Sequence, residues 1–469
     1  MTTKEKPVPE TGTGRQAPGP EGGVLFGALS SFKKDTLKLL MEMQRRYGGI
    51  VRMKMGPYLV HQLTSPEHVK HVLQNNSSNY TRGKFYRGFN LFFGRGMLTT
   101  DGPEWKTRRA VSQPFFNRTK LRNNSAVITT TTDELIAKWE GAARTGEEID
   151  VTDDMMWLAM GVLGRMFYGV DLRDYADRLM PAVRFSLKAM ILTGEVKQML
   201  PKWIPTKYQR DLQRYQAVLN GVMDEIINLH RQGKGDDESV VAALLGATHA
   251  VTGKPFTQTQ IRAELKTLFL AGHETTGCAL TWTLYAIAKN VDVRRKLEAE
   301  LDEVLGDRVP TADDLPRLTY LRQVVDESLR MYPPIWLFPR DAVADDNING
   351  FHIPAGSTIL VPTYAAHHNK ESWDDPEAFD PERFCPVAGK KSGRDRYDYF
   401  PFGGGARKCI GMDLALLEIQ LAVAMITRRY RLSLVAGHPV TPSALVSLRP
   451  QPKVLMTVRH NDGQRAAAA

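Results

Sequence analysis

The sequence predicts a mainly α-helical protein with a small β portion. Three observations predict it: apolar residues recur at helical spacing through most of 67–445, β-type alternation is confined to short runs, and no Ser- or Gly-rich linker divides the chain. No repeat period is evident, so a single domain over 24–459 is expected, between a loose Pro- and Gly-rich segment 1–23 and a frayed tail 460–469.

The composition narrows the class. With 469 residues, 42% hydrophobic and 24% charged, the chain can bury a sizeable core. The net charge of +10 comes from scattered Lys and Arg rather than a stripe, which argues against nucleic acid and suits a docking face for an acidic protein. Cys278, Cys385 and Cys409 are odd in number and far apart, as in a reducing compartment rather than a disulfide framework. Segment 1–23 lacks the basic start and apolar run of a signal peptide, so a cytoplasmic protein is expected. The most apolar window, 265–288, carries Lys266, His273 and Glu274 and reads as a buried helix, not a bilayer span.

In chain order, Pro18-Gly19-Pro20 precedes a helical pattern over 32–47 that Gly48-Gly49 stops. Residues 50–55 and 59–63 alternate around Gly56-Pro57, as in a hairpin. Helical periodicity follows over 103–115, 118–140, 151–168, 174–193, 207–231, 257–290, 292–305 and 318–331. Short β-type runs return at 347–353, 358–362, 432–434 and 454–458, and a further apolar-periodic helix is expected over 412–428.

That last helix follows Phe400-Pro401-Phe402-Gly403-Gly404-Gly405-Ala406-Arg407-Lys408-Cys409-Ile410-Gly411, a Gly-rich turn that delivers a cysteine to a helix N-terminus. Unpaired backbone N–H groups and the positive end of the helix dipole favour a thiolate there. The glycines would let the backbone approach a flat ligand, Phe402 could pack on it, and Arg407 could meet an anionic group of the same ligand. A phosphate-loop reading fails because no Gly-Lys-[Ser/Thr] ends the turn.

The ordered string Phe402, Gly405, Arg407, Cys409, Gly411 closely resembles the haem-binding signature of the cytochrome P450 family. Further segments resemble the family in the same order. Helix 257–290, about 50 Å long at 1.5 Å per residue, holds Ala271-Gly272-His273-Glu274-Thr275-Thr276, similar to the family's oxygen-groove motif. A mid-helix Gly beside a hydroxyl that competes for carbonyls predicts a local opening of that helix. A zinc-protease helix is excluded, since Gly277 stands where a second His is needed. Glu327-Ser328-Leu329-Arg330 and Phe379-Asp380-Pro381-Glu382-Arg383-Phe384 resemble the two elements whose Glu327, Arg330 and Arg383 form a structural lock under the haem loop. Trp105-Lys106-Thr107-Arg108-Arg109 resembles the helix whose Trp105 and Arg109 meet a haem propionate, and Arg340 is a third propionate candidate beside Arg407.

The resemblance, which runs from Pro18 to the C-terminal strands, implies a soluble, bacterial-type member with haem b between the long central helix and the cysteine-loop helix. It implies Cys409 as the iron ligand and Glu274–Thr275 as an acid–alcohol pair in O₂ cleavage. The activity expected is hydroxylation or epoxidation of a lipophilic molecule such as a terpene, polyketide or fatty acyl compound in secondary metabolism. Pocket walls are expected from Phe85, Tyr86, Phe89, Leu91, Phe92 and Phe93, from Ala271, from Ile335, Trp336, Leu337 and Phe338, and from Leu445 and Val446. Gly12-Thr13-Gly14-Arg15-Gln16-Ala17 lacks the strand a dinucleotide site requires, so electrons, ultimately from NAD(P)H, are expected from an external ferredoxin or flavodoxin with its reductase. Lys106, Arg108, Lys390, Lys391, Arg394 and Arg396 are expected to dock it, and the enzyme is expected to be a monomer. Two readings stay open beside this one: a haem-thiolate enzyme that uses peroxide or rearranges or couples its substrate, and a haem-based sensor or ligand carrier.

Overall fold

The computed structural model describes residues 14–20, 35–191, 206–385 and 395–461. Expected features outside them are 1–13 and 21–23 of the N-terminal segment, the start of the first helical pattern at 32–34, Lys390, Lys391, Arg394 and the tail beyond 461.

The described helices are α1 (Thr36–Tyr47), α2 (Pro66–Lys70), α3 (Arg87–Phe93), α4 (Gly102–Ser112), α5 (Arg118–Asn123), α6 (Ala126–Thr145), α7 (Val151–Leu163), α8 (Ala176–Ile191), α9 (Lys207–Arg231), α10 (Val240–Gly246), α11 (Gln258–Lys289), α12 (Val291–Leu305), α13 (Thr319–Met331), α14 (Thr363–His367) and α15 (Met412–Arg429). The strands are β1 (Ile50–Met55), β2 (Tyr58–Leu63), β3 (Tyr80–Thr81), β4 (Glu148–Asp150), β5 (Phe338–Ala342), β6 (Asp346–Ile348), β7 (Phe351–Ile353), β8 (Thr358–Val361), β9 (Tyr430–Leu434), β10 (Thr441–Ala444), β11 (Leu448–Gln451) and β12 (Leu455–His460). The chain folds as two compact units.

The first unit is Met1–Phe85, Leu337–Ser372 and Asp395–Lys408. Its sheet has the order β1-β2-β8-β5-β3, with β2 and β8 parallel and the other pairs antiparallel. The β1–β2 turn is the expected one: Met55 pairs with Tyr58 and Gly56 takes φ +58°, which a side chain would disfavour. Ile50, Leu63, Val69, Val72, Ile359, Val361 and Phe400 form its core. Residues 347–353, expected as one run, are instead the hairpin β6–β7, because Asn349 and Gly350 both adopt positive φ in a two-residue turn. Residues 14–20 lie against this unit: Arg15 exchanges backbone hydrogen bonds with Gly350 and His352, and Pro18 accepts one from Arg52.

The second unit is Tyr86–Trp336, Trp373–Arg394 and Cys409–Ala469. Its axis is α11, started by a capping box between Thr257 and Gln260 and buried along nearly its whole length. Two glycines set how α11 lies on α7. A Cβ on Gly272 would come 2.8 Å from Leu163 Cδ1, and one on Gly277 would come 2.5 Å from Met156 Sδ. The helix therefore shows no break at Gly272. The local opening expected from the sequence is absent, and this glycine serves close helix packing instead. The same unit carries the sheet β4-β12-β9 and the hairpin β10–β11, the latter unforeseen because Pro442 and Pro450 read as strand breakers.

Candidate active site

Cys409 lies just before α15, whose N-cap Gly411 offers no side-chain acceptor to the first-turn amides. Those amides and the helix dipole favour negative charge at the sulfur. Cys409 is exposed, whereas Cys278 is fully buried on α11 and its thiol is pushed up to about 12 by burial first and Glu274 second. Of the two, Cys409 has the exposure and the helix-end position that a thiolate ligand requires. Arg109, on α4, is close enough to Cys409 for a thiolate to favour its charge, against the burial that lowers its pKa. Its guanidinium also stands 5.7 Å from the centre of the Trp105 ring, so the i,i+4 pair shares one face as the spacing requires.

The middle of α11 supplies the second part of the site. Ala271 is exposed and Gly272 and Thr275 are half-buried, whereas His273, Glu274 and Thr276 are buried, and the Thr275 hydroxyl donates to the Ala271 carbonyl at 2.5 Å. These two residues, four apart, bare one small stripe to which a flat apolar group can be applied. Glu274 points elsewhere. Its carboxylate is buried, accepts from the Ser447 hydroxyl and is gripped by the Arg449 guanidinium. Burial raises its pKa, but Arg449 and Ser447 outweigh it and hold the group ionised, below the usual carboxylate range. Sequence reasoning missed Ser447 and Arg449, which come from β11 and the turn before it.

That hairpin is anchored where the site needs it. Trp282 on α11 donates to the Leu448 carbonyl at 2.8 Å, Trp336 donates to the Leu445 carbonyl at 2.8 Å, and Leu448 N–H reaches the Pro334 carbonyl at 2.9 Å. Leu445 and Val446 at the tip stay half-buried. Among the other expected wall residues of this unit, Phe92 is core: it is 2% exposed and packs edge-on against Phe185. Phe93 and Tyr86 are buried, the Tyr86 ring lies 5.4 Å from that of Phe89 at a tilt of 38°, Leu91 is exposed and Ile335 is half-buried.

The lock residues come together. Glu327 and Arg330 are fully buried on α13, joined by two hydrogen bonds of 2.7 and 2.8 Å. Arg383 reaches Glu327 at 3.3 Å and also donates to the carbonyls of Asp374 and Asp375, while Asp380 N–H adds a 2.9 Å bond to the same carboxylate. Three buried charges with their donors used in this way avoid most of the penalty of burying them.

In the first unit, Arg340 is buried in β5 with Nη1 on the Pro339 carbonyl at 2.8 Å, Arg407 is half-buried in a 3₁₀ turn, and Phe402 and Leu337 are half-buried and buried. Phe85 is exposed there and Phe338 half-buried. The glycines of the turn face protein: a Cβ on Gly404 would strike the Tyr397 ring, and one on Gly405 the Leu73 carbonyl. Of the expected docking cations, Lys106 and Arg396 are exposed, but Arg108 is not available. It is 1% exposed and bound to Glu264 at 2.6 Å and Glu104 at 2.7 Å, because an arginine on the inner face of α4 must be paired.

Residues 17–458 match the family model "Cytochrome P450". The chain belongs to the cytochrome P450 family. It is 32% identical to cyclooctat-9-en-7-ol 5-monooxygenase of Streptomyces melanosporofaciens, over 83% of this chain and 84% of the relative. It is 31% identical to cyclooctatin synthase of the same organism, over 96% and 97%. The fold is similar to the crystal structure of the cytochrome P450DA haem domain, with a TM-score of 0.85, 24% identity and coverage of 96% and 98%. This P450 is accordingly a monooxygenase, and membership implies a haem iron cofactor, redox partners and a lipophilic substrate. The exposed Cys409 beside the cation Arg109, and the bare stripe of Ala271 and Thr275, are what such a cofactor requires of this chain. Among the described residues no helix is long and apolar enough to cross a membrane.

Proposed function

We propose that this P450 inserts one oxygen atom of O₂ into a terpene-like, largely hydrocarbon molecule. When bound, the haem iron supplies O₂ activation, and a thiolate ligand favours O–O heterolysis over reversible binding. The observation that carries the reading is the bare Ala271–Thr275 stripe at the middle of a buried helix. It offers a hydroxyl at an otherwise apolar surface, where a proton can be held beside a hydrophobic guest.

In this reading Cys409 would ligate iron, Arg109, Arg340 and Arg407 would neutralise the propionates, Trp105 would donate a hydrogen bond to one of them, and Phe402 and Gly411 would complete the cofactor's surroundings. Thr275 would order water beside it, and Glu274, a carboxylate while Arg449 holds it, would relay a proton to that water only after release from Arg449 has let it take one up from solvent. Leu445, Trp336, Ile335 and Phe89 shape the substrate, and the Glu327–Arg330–Arg383 cluster keeps the cysteine-loop region rigid. The name of the relative cyclooctat-9-en-7-ol 5-monooxygenase, an unsaturated alcohol as substrate, supports a hydrocarbon skeleton. Two electrons come from NAD(P)H through a ferredoxin or flavodoxin in the cytoplasm.

The test is a panel of terpenes, fatty acids and polyketides added to purified holoprotein. A terpene should shift the Soret band and, with ferredoxin, reductase, NAD(P)H and ¹⁸O₂, give a product carrying one labelled oxygen. Response to fatty acids alone, or turnover with peroxide but not with reductant, would overturn it.

A further inference from the structure

A cavity of about 360 Å³ in the second unit lies among α4, α9, the start of α11 and the segment between α3 and α4. Its volume is in the range of small-molecule sites. Four of its lining side chains, Arg95, Arg108, Arg262 and Lys266, are cations, and one, Glu104, is an anion. Carboxylates answer three of the cations: Glu104 lies 3.9 Å from Arg95 and 2.7 Å from Arg108, Glu264 binds Arg108 at 2.6 Å, and Asp224 binds Arg262 at 3.2 Å.

Lys266 is different. It is 8% exposed, yet its ammonium meets only neutral acceptors, the Asn220 side-chain carbonyl at 2.8 Å and the Phe92 carbonyl at 3.2 Å. Among the described residues no carboxylate comes within 4 Å of it, so its ammonium has no ion-pair partner in contact and Asp224 acts on it only from farther off. Burial, aided by Arg262 and opposed by Asp224, pulls its pKa down to about 8, so it is still mostly charged at neutral pH. A buried ammonium with no carboxylate in contact is costly, and an anion in the cavity would offset that cost. Lys266 and Thr275 are nine residues apart, two and a half turns, so they leave α11 on opposite sides, roughly 13 Å apart along its axis.

We infer that this cavity binds a compact organic anion whose carboxylate or phosphate group pairs with Lys266 and Arg262, at a site separate from the oxygen-handling stripe. An occupant would tie α4, α9 and α11 together through charge-assisted hydrogen bonds.

The test uses holoprotein at constant ionic strength, with sodium chloride as baseline and inorganic phosphate or hexanoate as probes. At least one should raise Tm saturably without shifting the Soret band. Hexanoate alone would assign a carboxylate, phosphate alone a phosphate group, and both the shared oxyanion chemistry. Lys266→Met should weaken binding about tenfold or more, as loss of a charge-assisted bond does, while Lys266→Arg retains it. Each variant is first checked for a thiolate-type carbon-monoxide spectrum. If Lys266→Met does not fold, Arg262→Gln at the half-exposed wall decides by the same criterion. No saturable shift with either probe, a Tm gain undiminished in the neutralised variant, or binding that moves the Soret band would overturn the inference.

Discussion

Arg449 grips both carboxylate oxygens of Glu274, and so ties the C-terminal hairpin to the middle of α11. Glu274 is 2% exposed, and Arg449 is its charge partner. Arg449→Met should therefore destabilise the protein by about 3–5 kcal/mol, the cost of stranding a buried charge, and Glu274→Gln added to it should restore much of the loss. Since Glu274 is held below its ordinary range, its contribution is present at neutral pH and is lost as pH falls through the lowered value. Urea unfolding of the single and double variants at pH 7 checks this. A double variant no more stable than Arg449→Met would refute the coupling.

Thr275 makes a local hydrogen bond to Ala271, and among the described residues its hydroxyl reaches no other element. Thr275→Ala should change stability by no more than about 1 kcal/mol. It should keep the thiolate-type carbon-monoxide band while diverting reductant into hydrogen peroxide. Peroxide and product are quantified per NAD(P)H consumed, and unchanged coupling would remove Thr275 from proton handling.

Glu327 answers Arg330, Arg383 and the Asp380 amide at once. Glu327→Ala leaves two arginines unpaired in a dry site and should cost about 3–5 kcal/mol. Haem should be lost faster on dilution into apomyoglobin. Glu327→Gln, which keeps an acceptor, should fall between. Equal haem-release rates in all three proteins would show the cluster has no part in retention.

His61 and His273 are buried, and burial first lowers each from 6.5 to about 4, helped by Arg52 and His352 for the former. For His273, Arg449 adds to the lowering and Glu274 opposes it. A folded-state value below the unfolded one means the unfolded chain binds more protons between pH 6.5 and 4. Stability from these residues is thus complete above 6.5 and drains as the solution is acidified towards 4. The urea midpoint should drop across that window, and His61→Leu with His273→Leu should flatten the slope. A wild-type midpoint that does not move would contradict both assignments.

Most helices were legible because apolar periodicity is strong where a helix is half-buried: the pattern over 207–231 is α9, and that over 257–290 is α11 within a residue or so. Strand β5 was hidden, since Pro339 reads as a break, and the bond partners of a five-residue strand leave no local trace. In the site, Cys409, Glu274 and Thr275 were readable as local strings. Arg449 was not, because it meets Glu274 across 175 positions of chain and only folding joins them. Arg108 was misread as a surface cation, although Glu104 one turn earlier was a sign of its pairing.

The contact of Gly272 and Gly277 with Leu163 and Met156 leaves α11 no room to shift against α7. Two methyl groups would be enough to push the helices apart and carry the Thr275 hydroxyl with them. Change in this region of the chain is therefore left to positions that are not wedged between helices, such as the half-buried Leu445 and Val446 at the hairpin tip.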